Sequence, residues 1–174
     1  MKNNQQKEIA SRKKETLISL AVILAALVMA FLVSLFVLSL GTVAGDSMKG
    51  TLNDGDIIAI LKIRDSYDVG DVVVFKKPEL VRGTIVKRVA AVEGDRVVIG
   101  KDGGFWVNSE LVEVFPEGSF TPIDVVLGQG ELFVLGDNRE ASVDSRDPDF
   151  PVVYEKDVVG VVTYRLFPKI EKIG

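Results

Sequence analysis

The sequence predicts a mainly β body, coiled or barrel-like and built of short strands, carried on one N-terminal transmembrane helix. Three observations predict it. The run from Leu17 to Leu40 is apolar and contains no charged residue. Beyond it the chain breaks into short β-branched runs bounded by Gly, Asp, Pro or Asn, the pattern of strands punctuated by turns. No helical periodicity of useful length follows Leu40. The 174 residues suffice for one domain of ordinary size and an anchor. The expected division is a cytoplasmic basic tail over 1–15, a transmembrane helix over 16–41, and an extracytoplasmic β catalytic domain over 42–174.

The helix is justified first by length. At 1.5 Å per residue the apolar run spans about 36 Å, enough to cross the hydrocarbon with some tilt. Ser19, Ser34 and Ser39 are tolerable there, since a helical serine bonds a carbonyl one turn back. Arg12-Lys13-Lys14 directly precede the run, which places the amino end in the cytoplasm and the body on the other side. A cleaved signal peptide has an apolar core of about 7 to 15 residues, shorter than this one, although Thr42-Val43-Ala44 does put a small residue after the run. An uncleaved, single-pass anchor in the cell membrane is the expectation, with the lipid bilayer as a partner.

The strands follow in order at Ile57–Leu61, Val72–Phe75, Thr84–Val89, Arg96–Ile99, Phe105–Val107, Glu131–Leu135 and Val158–Tyr164. Gly55-Asp56, Gly70-Asp71 and Gly94-Asp95 each precede a strand and read as turn signals. Asp102-Gly103-Gly104 reads as a hairpin turn joining the runs around Val97 and Trp106. The weakly patterned segment 114–130 reads as a surface loop with a short strand at Asp124–Leu127. Trp106, the only tryptophan, is expected in core or turn packing.

Composition narrows the chemistry. There is no histidine and no cysteine, which removes the commonest general base, thiolate nucleophiles, disulfides and most zinc sites. No metal and no cofactor is expected. The net charge of −4 hides an asymmetry. Five cations against two acids precede the apolar run, a surplus of three, so the remainder carries about seven negative charges. An acidic body argues against nucleic acid as a partner.

Two places can carry chemistry. Ser47, in Gly45-Asp46-Ser47-Met48-Lys49-Gly50-Thr51-Leu52, lies a few residues past the apolar run, close to a bilayer surface. Lys87 stands within Ile85-Val86-Lys87-Arg88-Val89, where alternation sends Lys87 and Arg88 to opposite faces. An ordinary lysine is a poor base, with only about one molecule in 2,500 neutral at pH 7. Burial disfavours the ammonium and makes the amine usable, so that a serine, a lysine in an apolar pocket and amide donors for an oxyanion suffice for acyl transfer. The polar cluster 136–147 offers Asp144 and Arg146 as an ion pair and Ser142 as a partner for an amine. Taken alone it reads as a surface turn. It does not meet the ligand spacing of an EF-hand.

Ser47-Met48 with Thr51-Leu52 and Gly55-Asp56, then Lys87-Arg88-Val89, Gly94-Asp95, and Gly136-Asp137-Asn138-Arg139 with Ser142 and Asp144-Ser145-Arg146 resemble the type I signal peptidases of bacteria, in the small, single-anchor form of Gram-positive species. The resemblance implies a serine endopeptidase that removes signal peptides from exported preproteins, cutting after small residues. It implies Ser47 as nucleophile, Lys87 as general base, Ser142 as the residue that orients the lysine, Asp144 and Arg146 as supports, and Met48 at the substrate. The chain departs from the family pattern at Gly50, where a proline is usual, and at Gly45, where some relatives carry a serine that donates to the oxyanion. The run Asp147-Pro148-Asp149-Phe150-Pro151 is also unusual. Asp46, if close to Lys87, would raise the lysine pKa and oppose the mechanism. Two other readings stand beside this one. A non-catalytic anchored β domain assisting surface-protein or pilus assembly would be expected to lose the serine or the lysine. A self-cleaving or repressor-type Ser/Lys protease would be expected to be soluble.

Overall fold

The computed structural model describes residues 2–173. Two compact units divide at residue 37. The first is a single helix, α1 (Lys2–Val37). From Arg12 to Val37 it is long and apolar enough to cross a membrane, and no part of its most apolar stretch is buried by the protein. Three of its hydroxyls are satisfied locally: Thr16, Ser19 and Ser34 donate to the carbonyls of Arg12, Glu15 and Phe31 at 2.8, 3.0 and 2.7 Å.

The helix stops four residues short of the boundary expected at 41. Residues Leu38–Thr42 form a strand, β1, antiparallel to β2 (Ile57–Leu61) with Leu40 opposite Ala59. Hydropathy cannot separate the end of a span from an apolar strand that follows it directly. The hydrogen bonds offered by β2 decide the matter.

The second unit is all β apart from one 3₁₀ turn at Glu155–Asp157. Its strands continue as β3 (Val72–Phe75), β4 (Ile85–Ala91), β5 (Arg96–Ile99), β6 (Gly104–Val107), β7 (Glu110–Val114), β8 (Ile123–Val126), β9 (Glu131–Leu135), β10 (Val153–Tyr154), β11 (Val158–Phe167) and β12 (Glu171–Lys172). The larger sheet runs β1-β2-β11-β3-β4-β9-β10, with β12 beside β11. Irregularities in β11 and between β4 and β9 interrupt the register. Such bulges add twist and curl the sheet into a half-barrel. The smaller sheet runs β7-β6-β5-β8.

Three apolar clusters fill the body. One gathers Val43, Met48, Leu52, Ile58, Ile60, Val72, Val74 and Val162. A second lies around Val73, Phe75, Val89 and Val134, and a third around Phe105, Phe115, Phe133 and Leu135. Strands β2, β3, β5 and β9 fall on their expected bounds. Strand β7 was not expected: it returns from β6 through Asn108 and Ser109, both at positive φ (52° and 71°), the primed-turn geometry that suits hairpins. Trp106, expected in core or turn packing, is 36% exposed; it lies opposite Leu111 with its indole nitrogen over Gly104, at the end of the hairpin turn.

Candidate active site

The site is built on β4, on the turn after β1 and on the loop after β9. Lys87 shares the inward face of β4 with Val89 and Ala91 and is 3% exposed. Arg88, one residue on, points the other way. Its guanidinium forks onto Asp137 at 2.9 and 2.6 Å and also donates to Thr51 Oγ1 at 3.1 Å and the Gly70 carbonyl at 2.8 Å. Alternation thus sends one cation of the pair inward and ties the other to both neighbouring loops.

Lys87 Nζ donates to Ser142 Oγ at 2.9 Å, and Ser142 Oγ donates to Asp144 Oδ2 at 2.6 Å. Asp144 also accepts from the Gly136 amide at 2.9 Å, and from Arg146 through Nε at 2.8 Å and Nη2 at 3.0 Å. Asp144 and Arg146 are both buried, so each ion compensates the other. Arg146 is further satisfied by the carbonyls of Ser119, Arg139 and Ser142 at 3.0, 2.7 and 3.2 Å. Burial alone would raise the Asp144 carboxyl, but Arg146, the Gly136 amide and Ser142 outweigh it and hold it below the usual carboxylate range. Lys87 goes the opposite way. Burial lowers its ammonium from the ordinary value to about 8; Asp144 and Asp137 pull it back up and Arg146 pushes it further down.

Ser47 begins a tight turn in which the amides of Thr51 and Leu52 donate to the Met48 carbonyl at 3.1 and 2.8 Å. The Ser47 carbonyl accepts from the Asn138 amide at 3.0 Å, and the Asp46 carbonyl accepts from Asn138 Nδ2 at 3.0 Å. These bonds clamp the serine turn onto the loop that carries Ser142. Gly136 lies between the two: a Cβ there would fall 2.2 Å from Ser142 Oγ and 2.6 Å from the Ser47 carbonyl oxygen. Only glycine allows so close an approach.

The structure therefore brings Lys87, Ser142, Asp144 and Arg146 into one hydrogen-bonded line and docks the Ser47 turn against it. Met48, expected at the substrate, is 1% exposed and packed in the first apolar cluster, where it pins the turn to the sheet. The Asp46 side chain is exposed, and the charges that act on Lys87 are those of Asp144, Arg146 and Asp137. Sequence reasoning placed Gly136 in the Gly-Asp-Asn-Arg motif without giving it a role, and missed Glu113. Nothing in the sequence ties Glu113 to this loop from 26 residues away. A cavity of about 390 Å³ borders the loop, lined by Ser119, Thr121, Ser142, Val143 and Arg146 among others. No group of three or more metal-ligating side chains occurs among the described residues.

The β body buries the Lys87 amine against the Ser142 hydroxyl, in a chain with no histidine or cysteine. Comparison with known proteins gives the family. Residues 16–167 match the model of the signal peptidase family, peptidase S26. The chain is 33% identical to signal peptidase IB of Staphylococcus aureus, over 73% of this chain and 76% of that protein. It is 31% identical to a probable signal peptidase I-1 of a Synechocystis species, over 72% and 69%. A crystal structure of a signal peptidase I from Enterococcus faecalis aligns with a TM-score of 0.45 at 23% identity, over 57% of this chain and 98% of that one. This chain belongs to the bacterial type I signal peptidases of family S26, whose activity is the removal of signal peptides from preproteins.

Proposed function

We propose that this chain is a membrane-anchored serine endopeptidase that cuts preproteins after small residues with Ser47 as nucleophile and Lys87 as general base. In this reading residues 1–15 are cytoplasmic, α1 spans the bilayer from residue 16 to its end at Val37, and the β body that follows works on the outer side. The anchor confines enzyme and preprotein to one surface and so raises their effective concentration.

The observation that carries the reading is the buried Lys87 amine, held at about 8 and hydrogen-bonded to Ser142 on the loop that clamps the Ser47 turn. With a pKa near 8, about one molecule in eleven is neutral at pH 7, against roughly one in 2,500 for an ordinary lysine. Ser142 has one proton, and it goes to Asp144. Ser142 can therefore only accept from Lys87, which directs an amine N–H toward Ser142 and leaves the nitrogen lone pair free for another proton.

Neutral Lys87 takes the Ser47 proton as Oγ attacks the scissile carbonyl. The oxyanion is held by backbone amides, chiefly that of Ser47, since Gly45 supplies no hydroxyl. The Lys87 ammonium then protonates the departing amine, and an acyl-enzyme remains. Lys87, neutral again, deprotonates the water that releases the signal peptide. Met48 serves the substrate indirectly, by fixing the backbone of the turn from within the core.

The test is incubation of the full-length protein, in detergent, with a labelled preprotein. Wild type is expected to release the mature protein, and Ser47→Ala and Lys87→Ala to release none above background. Undiminished cleavage by either variant excludes this reading.

A further inference from the structure

We infer that Glu113, on the edge strand of the smaller sheet, is a positioning residue for signal-peptide cleavage: through Arg139 it holds the loop that orients Ser142 toward Lys87. This rests on the Ser47/Lys87 reading above.

Strand β7 exposes every residue except Glu113, which is half-buried. Its carboxylate takes a two-point fork from Arg139, with Nε to Oε1 at 2.9 Å and Nη2 to Oε2 at 2.6 Å. Fork pairing fixes the orientation of the guanidinium as well as its position. The third arm of Arg139, Nη1, donates to the Gly136 carbonyl, and the Arg139 carbonyl accepts from Arg146 at 2.7 Å. Arg139 is thereby bonded to the residue whose amide holds Asp144 and to the residue whose guanidinium holds Asp144. Asp144 in turn fixes the Ser142 hydroxyl. Phe115, on the same side of the chain as Glu113, lies under both cations, 6.0 Å from the Arg139 guanidinium and 5.1 Å from that of Arg146. It is stacked on Phe105 at 5.3 Å, so the smaller sheet is the rigid bed of the loop.

Charge adds a second effect. The charged groups acting on Lys87 are Asp144, Arg146 and Asp137, and Arg139 feels both of those carboxylates after Glu113. Without its fork, Arg139 turns toward Asp137 and Asp144. That adds positive potential beside the lysine and weakens the carboxylates' support of its ammonium.

The experiment measures kcat, KM and the pH profile of kcat for full-length Glu113→Gln, Glu113→Asp and, as a control on the same strand, Glu110→Gln, with Tm recorded for each. Ser47→Ala and Lys87→Ala run alongside. Glu113→Gln is expected to lower kcat about tenfold with KM within about twofold, and to move the ascending limb of the profile down by about half a unit. Glu113→Asp, which keeps the charge, recovers most of the lost kcat, and Glu110→Gln behaves as wild type. A Glu113→Gln enzyme with wild-type kcat and profile overturns the inference, as does one whose loss only tracks a lowered Tm or appears only in KM. If Ser47→Ala or Lys87→Ala retain activity, it is the catalytic reading that fails.

Discussion

Lys87 Nζ lies 2.9 Å from Ser142 Oγ, and the proton of that serine is already committed to Asp144. The arrangement makes Ser142 an acceptor toward the lysine in either protonation state. Ser142→Ala removes the acceptor and leaves Asp144 short of one donor, without opening space for bulk water. Cleavage of a preprotein is expected to fall about a hundredfold, mostly in kcat, while the unfolding midpoint falls by no more than about 1–3 kcal/mol equivalent. Steady-state kinetics and a denaturant titration check both.

A lowered lysine pKa is also a statement about stability. Lys87 titrates near 8 in the folded chain and near 10.5 unfolded. Between these values the unfolded chain binds more protons, so this group makes stability rise with pH over that window, and below it the folded state carries the full cost of a buried ammonium. Lys87→Met removes that cost. The variant is expected to be inactive yet more stable at pH 7, by about 2 kcal/mol, with the gain shrinking as the pH passes from 8 to 10.5. Thermal unfolding at a series of pH values measures it.

The turn after Ser47 departs from the family pattern in a way the backbone explains. Gly50 sits at φ +109°, a conformation closed to proline, whose φ is fixed near −65°. Gly50→Pro, although it restores the usual family residue, is expected to lower activity at least tenfold by displacing the Ser47 turn. Gly50→Ala is expected to cost about 1–2 kcal/mol. Preprotein cleavage and unfolding curves for the two variants test this.

Gly136 offers the sharpest steric test. A methyl group there meets Ser142 and the Ser47 carbonyl at once, so Gly136→Ala must part the serine turn from the Ser142 loop. Activity is expected to fall by more than about a hundredfold with far-ultraviolet circular dichroism unchanged.

Much of the fold was legible because strand and turn signals coincide. Ile57–Leu61 and Val72–Phe75 are each preceded by a Gly-Asp turn and contain the β-branched residues that strands favour. The helix end was not legible, since Leu38–Leu40 serve a span and a strand equally well and only pairing with β2 separates them. Nor was β7, whose Asn108-Ser109 turn lacks the glycine that usually marks such hairpins. At the site, alternation put Lys87 and Arg88 on opposite faces but left open which of them is buried, which packing within the sheet decides in favour of Lys87. What anchors its supporting loop was hidden because Glu113 lies on a strand of the smaller sheet, 26 residues from Arg139, and the two meet only once both sheets have formed.

The most direct measurement is the single-turnover rate of preprotein cleavage as a function of pH, for wild type and Lys87→Arg in lipid vesicles. Arginine keeps the charge and cannot give up its proton in this range. The expected wild-type rate rises with pH and levels off near 8, the value of the buried amine, and Lys87→Arg shows no cleavage at any pH. A Lys87→Arg enzyme that cuts at the wild-type rate, or a wild-type profile flat across pH 6 to 9, contradicts the assignment of Lys87 as the base.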